Sequence, residues 1–252
     1  RREKLERLKF GITQIALGTH ALIQSDIEFK NLVLAVVDEQ HRFGVKQRAR
    51  LHEIGLAGIG KTPHTLLMTA TPIPRTLALT VYGDLDLSLL DELPPGRKPV
   101  FTEVFRDEER HEVYAKLRQL VANGTQAFIV YPLVSESDKE AMSGIRDATN
   151  AVEELQKGSL KGLSIALLHG QMPTDQKDEI MNDFLEQRVQ ILVATTVIEV
   201  GIDVKNASVM VIEHAERFGL SQLHQLRGRV GRGAEQSFCY LLSRYTQSED
   251  AF

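Results

Sequence analysis

The chain has 252 residues, 42% hydrophobic and 25% charged, with a formal net charge of −4. That mixture is typical of a globular protein, and no apolar run approaches the roughly 20 residues that span a bilayer. The opening Arg1-Arg-Glu-Lys-Leu-Glu-Arg lacks the apolar core of a signal peptide. The single cysteine, Cys239, excludes an internal disulfide and fits a reducing compartment. The negative balance excludes a global basic field, so any nucleic-acid contact must be local, through backbone amides and a few basic side chains.

The pattern predicts a charged helix over residues 1–9 with Leu5 and Leu8 inward, then a strand over 12–17. A turn at 18–22 leaves Thr19 and His20 exposed at the strand end. Residues 32–37 form an unbroken apolar run that ends in Asp38-Glu39-Gln40-His41. A run without polar alternation predicts a strand buried on both faces, the mark of a parallel sheet. Residues 41–54 read as a polar helix, 55–63 as a glycine-rich loop and 66–68 as a short strand. Thr69-Ala-Thr71-Pro-Ile-Pro-Arg75 follows as a fixed irregular turn, because its prolines suit neither a helix nor a central strand. Helical pattern resumes over 76–82. Leu93-Pro-Pro-Gly-Arg-Lys-Pro99 reads as a stiff linker and sets the division into domains 1–97 and 98–252.

Beyond it, strands are predicted at 100–105, 126–131, 164–168, 190–194, 208–212 and 238–242. Helices are predicted at 107–123, 148–156 and 174–187, the last capped by Thr174; residues 135–147 read as polar and loose. Tyr114, Leu117 and Leu120 fall at core spacing, and Cys239 reads as a buried strand cysteine. Strands alternating with helices of this length imply an α/β fold with a parallel sheet, part of one unit before the linker and a whole one after it. With no initiator Met, the chain reads as a fragment.

Three motifs carry chemistry. In parallel sheets function gathers at the carboxyl ends of strands, so Asp38 and Glu39 can divide the work there. One holds the hydration shell of Mg²⁺ and the other orients or deprotonates a water. A solvated acidic turn is the alternative. The run Ile191-Leu-Val-Ala-Thr195-Thr196-Val-Ile-Glu199-Val-Gly201-Ile-Asp203 joins a buried strand to a threonine pair, suited to backbone phosphates, and to Asp203, suited to a ribose hydroxyl. Helix capping by either threonine is compatible with both. Gln225-Leu-Arg227-Gly228-Arg229-Val-Gly231-Arg232-Gly233 sets arginines three apart, on one side of a helical turn, among glycines that allow close approach. Paired arginines of this kind fit a nucleoside triphosphate; a nucleic-acid phosphate patch is the alternative. Gly55-Leu-Ala-Gly-Ile-Gly60-Lys61-Thr62 matches a phosphate-loop pattern, but it follows polar residues and Pro63 replaces the helix such a loop opens. A surface loop is expected there, not a phosphate-loop kinase.

Taken in order, DEQH at 38–41, TATPIPRT at 69–76, the ATTVIEVGIDV run and QLRGRVGRG resemble superfamily-two helicases over nearly the whole chain. GTHALIQ, DEQHRFGVKQR, LDELPPGRKPV and LLHGQM resemble the RecG family more narrowly, bacterial ATP-dependent translocases that remodel branched DNA. The transcription-repair coupling translocases share DExHRFGV and TATPIPRT but carry Glu at the position of Gln40, and the LPPGR linker favours RecG. PriA-type helicases carry a zinc-binding cysteine cluster, which one cysteine excludes.

The resemblance implies two RecA-like domains, the first truncated at its N-terminus, with ATP and Mg²⁺ as cofactors. It implies that Asp38 holds Mg²⁺ through water and Glu39 activates the hydrolytic water. Gln40, His41, Thr69 and Thr71 couple the nucleotide to DNA. Gln225, Arg229 and Arg232 reach the γ-phosphate, with Arg232 first choice as arginine finger, and Gly201 and Asp203 line the nucleotide. Thr19, His20, His169, Thr195 and Thr196 lie along the DNA track. Branched DNA is the implied partner, with single-stranded-DNA-binding protein beside it, in a monomeric, cytoplasmic, nucleoid-associated protein with no membrane partner. The family's phosphate loop and wedge domain would lie upstream of Arg1, so the isolated polypeptide is expected neither to hydrolyse ATP nor to bind it tightly. A non-catalytic DNA- or protein-binding module is the reading from another class.

Overall fold

The computed structural model describes residues 2–24, 27–39, 50, 53–54, 62–69, 86–92, 96–132, 138–195, 204–233 and 235–244, with only the backbone of 138–147. The expected helices at 41–54 and 76–82 and the glycine-rich loop up to Lys61 fall largely or wholly outside them. The chain divides into two compact units, Arg1–Leu85 and Asp86–Phe252. The segment from Asp86 therefore groups with the second unit, whereas the linker pattern placed the division after Arg97.

In the first unit, α1 (Arg2–Lys9) buries Leu8 and half-buries Leu5. Two short strands, β1 (Leu34–Val37) and β2 (His64–Leu67), pair in parallel with Val36 opposite Leu66. Ala35 and Val37 face a small cluster with Ile23 and Leu67. Leu34 and Val36 stay 57% and 53% exposed, so β1 is buried on one face, not on both as its unbroken apolar run predicts. The predicted strand at 12–17 is irregular. The amides of Ile12 and Thr13 both donate to the Arg7 carbonyl, which turns this stretch back onto the end of α1 instead of offering a ladder edge.

The second unit is a six-stranded, all-parallel sheet. Its strands are β3 (Phe101–Arg106), β4 (Gln126–Tyr131), β5 (Ile165–Leu168), β6 (Ile191–Thr195), β7 (Ala207–Ile212) and β8 (Phe238–Ser243), in the order β3-β8-β7-β4-β6-β5. Central strands bury every residue or nearly so. Alternate side chains supply two separate cores, as the pleat requires. Ala127, Ile129, Ile191, Val193, Val209 and Val211 pack with Val113, Tyr114, Leu117 and Val121 of α2 (Arg110–Ala122) and Leu155 of α3 (Asp138–Lys157). Phe128, Val130, Leu192, Ala194, Met210 and Ile212 pack with Phe184 of α4 (Thr174–Leu185) and Leu226 of α5 (Leu220–Arg227). Cys239 is fully buried and its thiol is pushed up to about 12 by that burial.

Two local expectations differ. α3 starts at Asp138, ten residues before the predicted helix, through a stretch the polar composition had marked as loose. Pro173, not Thr174, is the N-cap of α4, with no side-chain cap bond; proline's fixed φ suits a helix entrance. The amide of Gln126 ties the amino edge together instead, donating to the carbonyls of Phe184 and Val189 at 2.6 and 2.7 Å.

Two consequences can be measured. Ile129→Ala empties a fully buried position of the central strand and should cost about 3 kcal/mol in urea unfolding. With its thiol held at about 12 by burial, Cys239 should resist alkylation at pH 8 in the folded protein and react once it is unfolded in denaturant.

Candidate functional site

In the first unit Asp38 and Glu39 follow directly on β1. Asp38 is exposed and its Oδ1 accepts the Glu39 backbone N–H at 2.8 Å. Glu39 is half-buried at φ 51°, a left-handed conformation unusual for a residue with a side chain. The Asp38 carboxylate thus keeps its second oxygen for another ligand. One exposed carboxylate at a strand end fits Mg²⁺, which keeps most of its waters and needs only one or two carboxylates. Thr69 lies two residues beyond β2, and Thr19 is the N-cap of the short 3-10 turn His20–Ile23. Gln40, His41, Thr71 and the Gly55–Lys61 loop lie outside the described residues.

In the second unit the selected residues divide between the two edges of the sheet. At the carboxyl edge, His169 follows β5 and Thr195 ends β6, paired across to Tyr131 of β4. Thr195 is fully buried, and its hydroxyl has no hydrogen-bond partner among the described residues. Thr196, Gly201 and Asp203 lie outside the described residues. His169 Nδ1 is likewise buried without a described partner. Its pKa is lowered from 6.5, first by burial and then by the Lys177 ammonium. Lys177 donates to the Gly170 carbonyl at 2.6 Å, which draws the first turns of α4 over the His169-Gly170 turn. Nothing in the sequence had singled out Lys177.

The same edge holds a buried acid that the sequence reading also missed. Glu213 follows β7 and is 1% exposed. Its carboxylate accepts the Tyr114 hydroxyl at 2.5 Å and the Arg110 guanidinium at 2.9 Å, and Arg110 also reaches Asp107 at 2.6 Å. Burial works against the Arg110 charge, but Glu213 and Asp107 outweigh it and its pKa is raised. Burial, then Tyr131 and Glu213, pushes the Tyr114 hydroxyl well up. A signal was available: Val209-Met-Val-Ile-Glu213 ends an apolar run in an acid, just as the run before Asp38 does.

The arginines sit elsewhere. α5 ends at Arg227 with Gly228 as C-cap, so Arg229 and Arg232 lie on the loop beyond the helix and not on a helical turn. Gln225 and Arg229 are half-buried and Arg232 is exposed, with its Nε 3.4 Å from the Gly228 carbonyl. The loop runs along the amino edge. Gly231, at φ 78°, abuts Val100 just before β3, and a Cβ there would lie 2.7 Å from Val100 Cγ2. A Cβ at Gly233 would lie 2.6 Å from the carbonyl oxygen of Lys205, just before β7. At both positions glycine is what lets the loop press against backbone and core.

Among known proteins, the DEAD/DEAH box helicase family matches residues 1–80 and the helicase conserved C-terminal domain matches residues 112–234. The ATP-dependent DNA helicase RecG of Thermotoga maritima is 52% identical over 242 residues, 96% of this chain and 30% of that protein. RecG of Bacillus subtilis is 49% identical over 243 residues, 96% of this chain and 34% of that protein. The chain thus spans about a third of the length of these relatives. The structure of RecG bound to a three-way DNA junction aligns with a TM-score of 0.71 at 47% identity, over 98% of this chain and 31% of that one. The helicase Lhr of Mycobacterium smegmatis, bound to single-stranded DNA and AMP-PNP, shares the fold at 20% identity with a TM-score of 0.58.

The carboxyl edge yields two tests. His169 should titrate below 6.5 by NMR, and Lys177→Ala should move it upward. Because its folded pKa is depressed, the stability it contributes is present above the unfolded value and lost as pH falls through the folded one. Separately, Glu213→Ala takes the carboxylate acceptor from the Tyr114 hydroxyl and leaves Arg110 with Asp107 alone. It should cost about 2 kcal/mol in denaturant unfolding, and Tyr114→Phe about half that.

Proposed function

We propose, from a chain that belongs to the RecG family of ATP-dependent DNA helicases, that it supplies motor elements of a translocase that remodels branched DNA. The match covers 96% and 98% of this chain, to a relative named for ATP-dependent DNA helicase activity and to a structure that holds a three-way junction. That coverage carries the reading.

In the proposed mechanism Asp38 holds Mg²⁺ through its water shell, and Glu39 orients or deprotonates the attacking water. When bound, the metal neutralises charge on the phosphates of ATP. The Gln225–Arg232 segment reaches the γ-phosphate, with Arg232 stabilising charge on the transferred group. Gly201 and Asp203 line the nucleotide; Gln40, His41, Thr69 and Thr71 couple it to DNA. Thr19, His20, His169, Thr195 and Thr196 belong to the DNA track, and the short supply of basic side chains among them suits contact through hydroxyls and backbone amides. Since Thr195 is buried, its part is to shape the strand end. His169, neutral near pH 7, offers a hydrogen bond there and no charge. ATP would drive motion by favouring one conformation over another through differential affinity. Family resemblance alone supports the further proposals of a monomer, of single-stranded-DNA-binding protein as a second partner, and of a cytoplasmic, nucleoid-associated location.

DNA-stimulated ATP hydrolysis and unwinding of a three-way junction by the full-length protein test this reading. Glu39→Gln and Arg232→Ala should each lower turnover by on the order of a thousandfold while leaving the fold intact by circular dichroism. Wild-type rates in both variants would refute the assignment.

A further inference from the structure

The linker motif Leu93-Pro-Pro-Gly-Arg-Lys-Pro99 has so far been only a spacer. In the structure its second half is bound to the arginine loop. Arg97 Nε donates to the Gly231 carbonyl at 2.7 Å, across 134 residues of sequence. That carbonyl belongs to the peptide group that joins Gly231 to Arg232. A peptide group is planar, so holding its oxygen fixes the direction in which the chain enters Arg232. The donor is an ionised guanidinium, which makes the bond stronger than one between neutral groups.

Neighbouring contacts point the same way. Gln236 Nε2 donates to the Pro99 carbonyl at 2.9 Å, and the Phe101 amide donates to the Ser237 carbonyl at 2.9 Å. Val100 occupies the space that a Cβ on Gly231 would need. Arg97 and Val100 therefore lie against Gly231, and Pro99 and Phe101 against Gln236 and Ser237. On the far side of Arg232, Gly233 is wedged against the Lys205 carbonyl. Arg232 sits between two glycines whose places are set by packing, and the hydrogen bond from Arg97 is the polar restraint on the peptide immediately before it.

We infer that Arg97 is a positioning residue: it sets the backbone from which Arg232 presents its guanidinium to the nucleotide. The inference rests on the proposed role of Arg232. A bland role is available, since any bond from linker to loop stabilises the unit, and the two roles separate in a double-mutant cycle. Acting through Arg232, Arg97 has nothing left to orient once Arg232 is gone; acting as a simple fastener, it costs the same in either background.

The cycle is measured on the full-length protein as DNA-stimulated ATP turnover. Misplacing a catalytic group by about an ångström can cost roughly a hundredfold. Arg97→Ala should therefore lower kcat by about ten- to a hundredfold with little change in KM for ATP. Arg97→Lys, which keeps one charged donor, should recover part of the loss. In an Arg232→Ala background, Arg97→Ala should change kcat no further. Should Arg97→Ala fold poorly, Arg97→Lys carries the same cycle with the same expectation. The inference is overturned if Arg232→Ala loses turnover while the Arg97 variants keep it, or if the two losses multiply. Full turnover in Arg232→Ala would overturn the arginine-finger assignment and this inference with it.

Discussion

Val209, Met210, Val211 and Ile212 have no solvent exposure on either side of β7, and β4 and β6 are nearly the same. A parallel sheet covered by helices on both faces leaves polar side chains no place along its strands. On these central strands they emerge at the ends or not at all. This constraint organises the second unit. His169, Thr195 and Glu213 come out at the carboxyl edge, and the arginine loop comes in at the amino edge. Gln126 shows the exception permitted: a buried amide whose donors are spent on two carbonyls, so that it costs little.

The carboxyl edge is where burial and polarity compete most. Glu213 is nearly inaccessible, yet its neighbours supply a hydroxyl and a guanidinium that meet both oxygens. Thr195 and His169 are different, because each keeps a buried polar atom without a described partner. A buried polar atom left unmet carries a desolvation cost on the order of 1–3 kcal/mol. Two of them on adjacent strands mark the part of the edge where a ligand would offset most of that cost. This is the edge that the proposed reading gives to DNA.

Much of this was legible in the sequence because burial on both faces is easy to read. β4, β6, β7 and β8 lie within a residue of their predicted limits, since each is an apolar run bounded by polar residues. The core positions Tyr114, Leu117 and Cys239 followed from helical spacing or strand context in the same way. Reading failed where a partner decides the outcome. The apolar residues within 12–17 suggested a strand, but strands need a ladder, and the Arg7 carbonyl takes two of the segment's amides. Polar composition hid the first ten residues of α3, 138–147. The spacing of Arg229 and Arg232 suggested a helical turn, but Gly228 ends α5 first, and spacing alone cannot report a glycine cap. The apolar run before Asp38 shows the limit of the rule itself: β1 has the composition of a doubly covered strand and one exposed face.

The contact between linker and arginine loop could not have been read from either segment. Leu93–Pro99 reads as a spacer in the sequence because prolines and a glycine do not suit regular structure. What that reading omits is that a stiff segment makes a good anchor. Fewer conformations are lost when it docks, so less of the binding energy of Arg97 is offset by entropy. A flexible Gly/Ser linker could carry the same arginine but would spend more of that bond on ordering itself. Pro99, two residues beyond Arg97, and Gly231, whose carbonyl accepts the bond, therefore serve one geometry from opposite partners. The proline limits where the donor can be, and the glycine lets the acceptor come close enough to meet it.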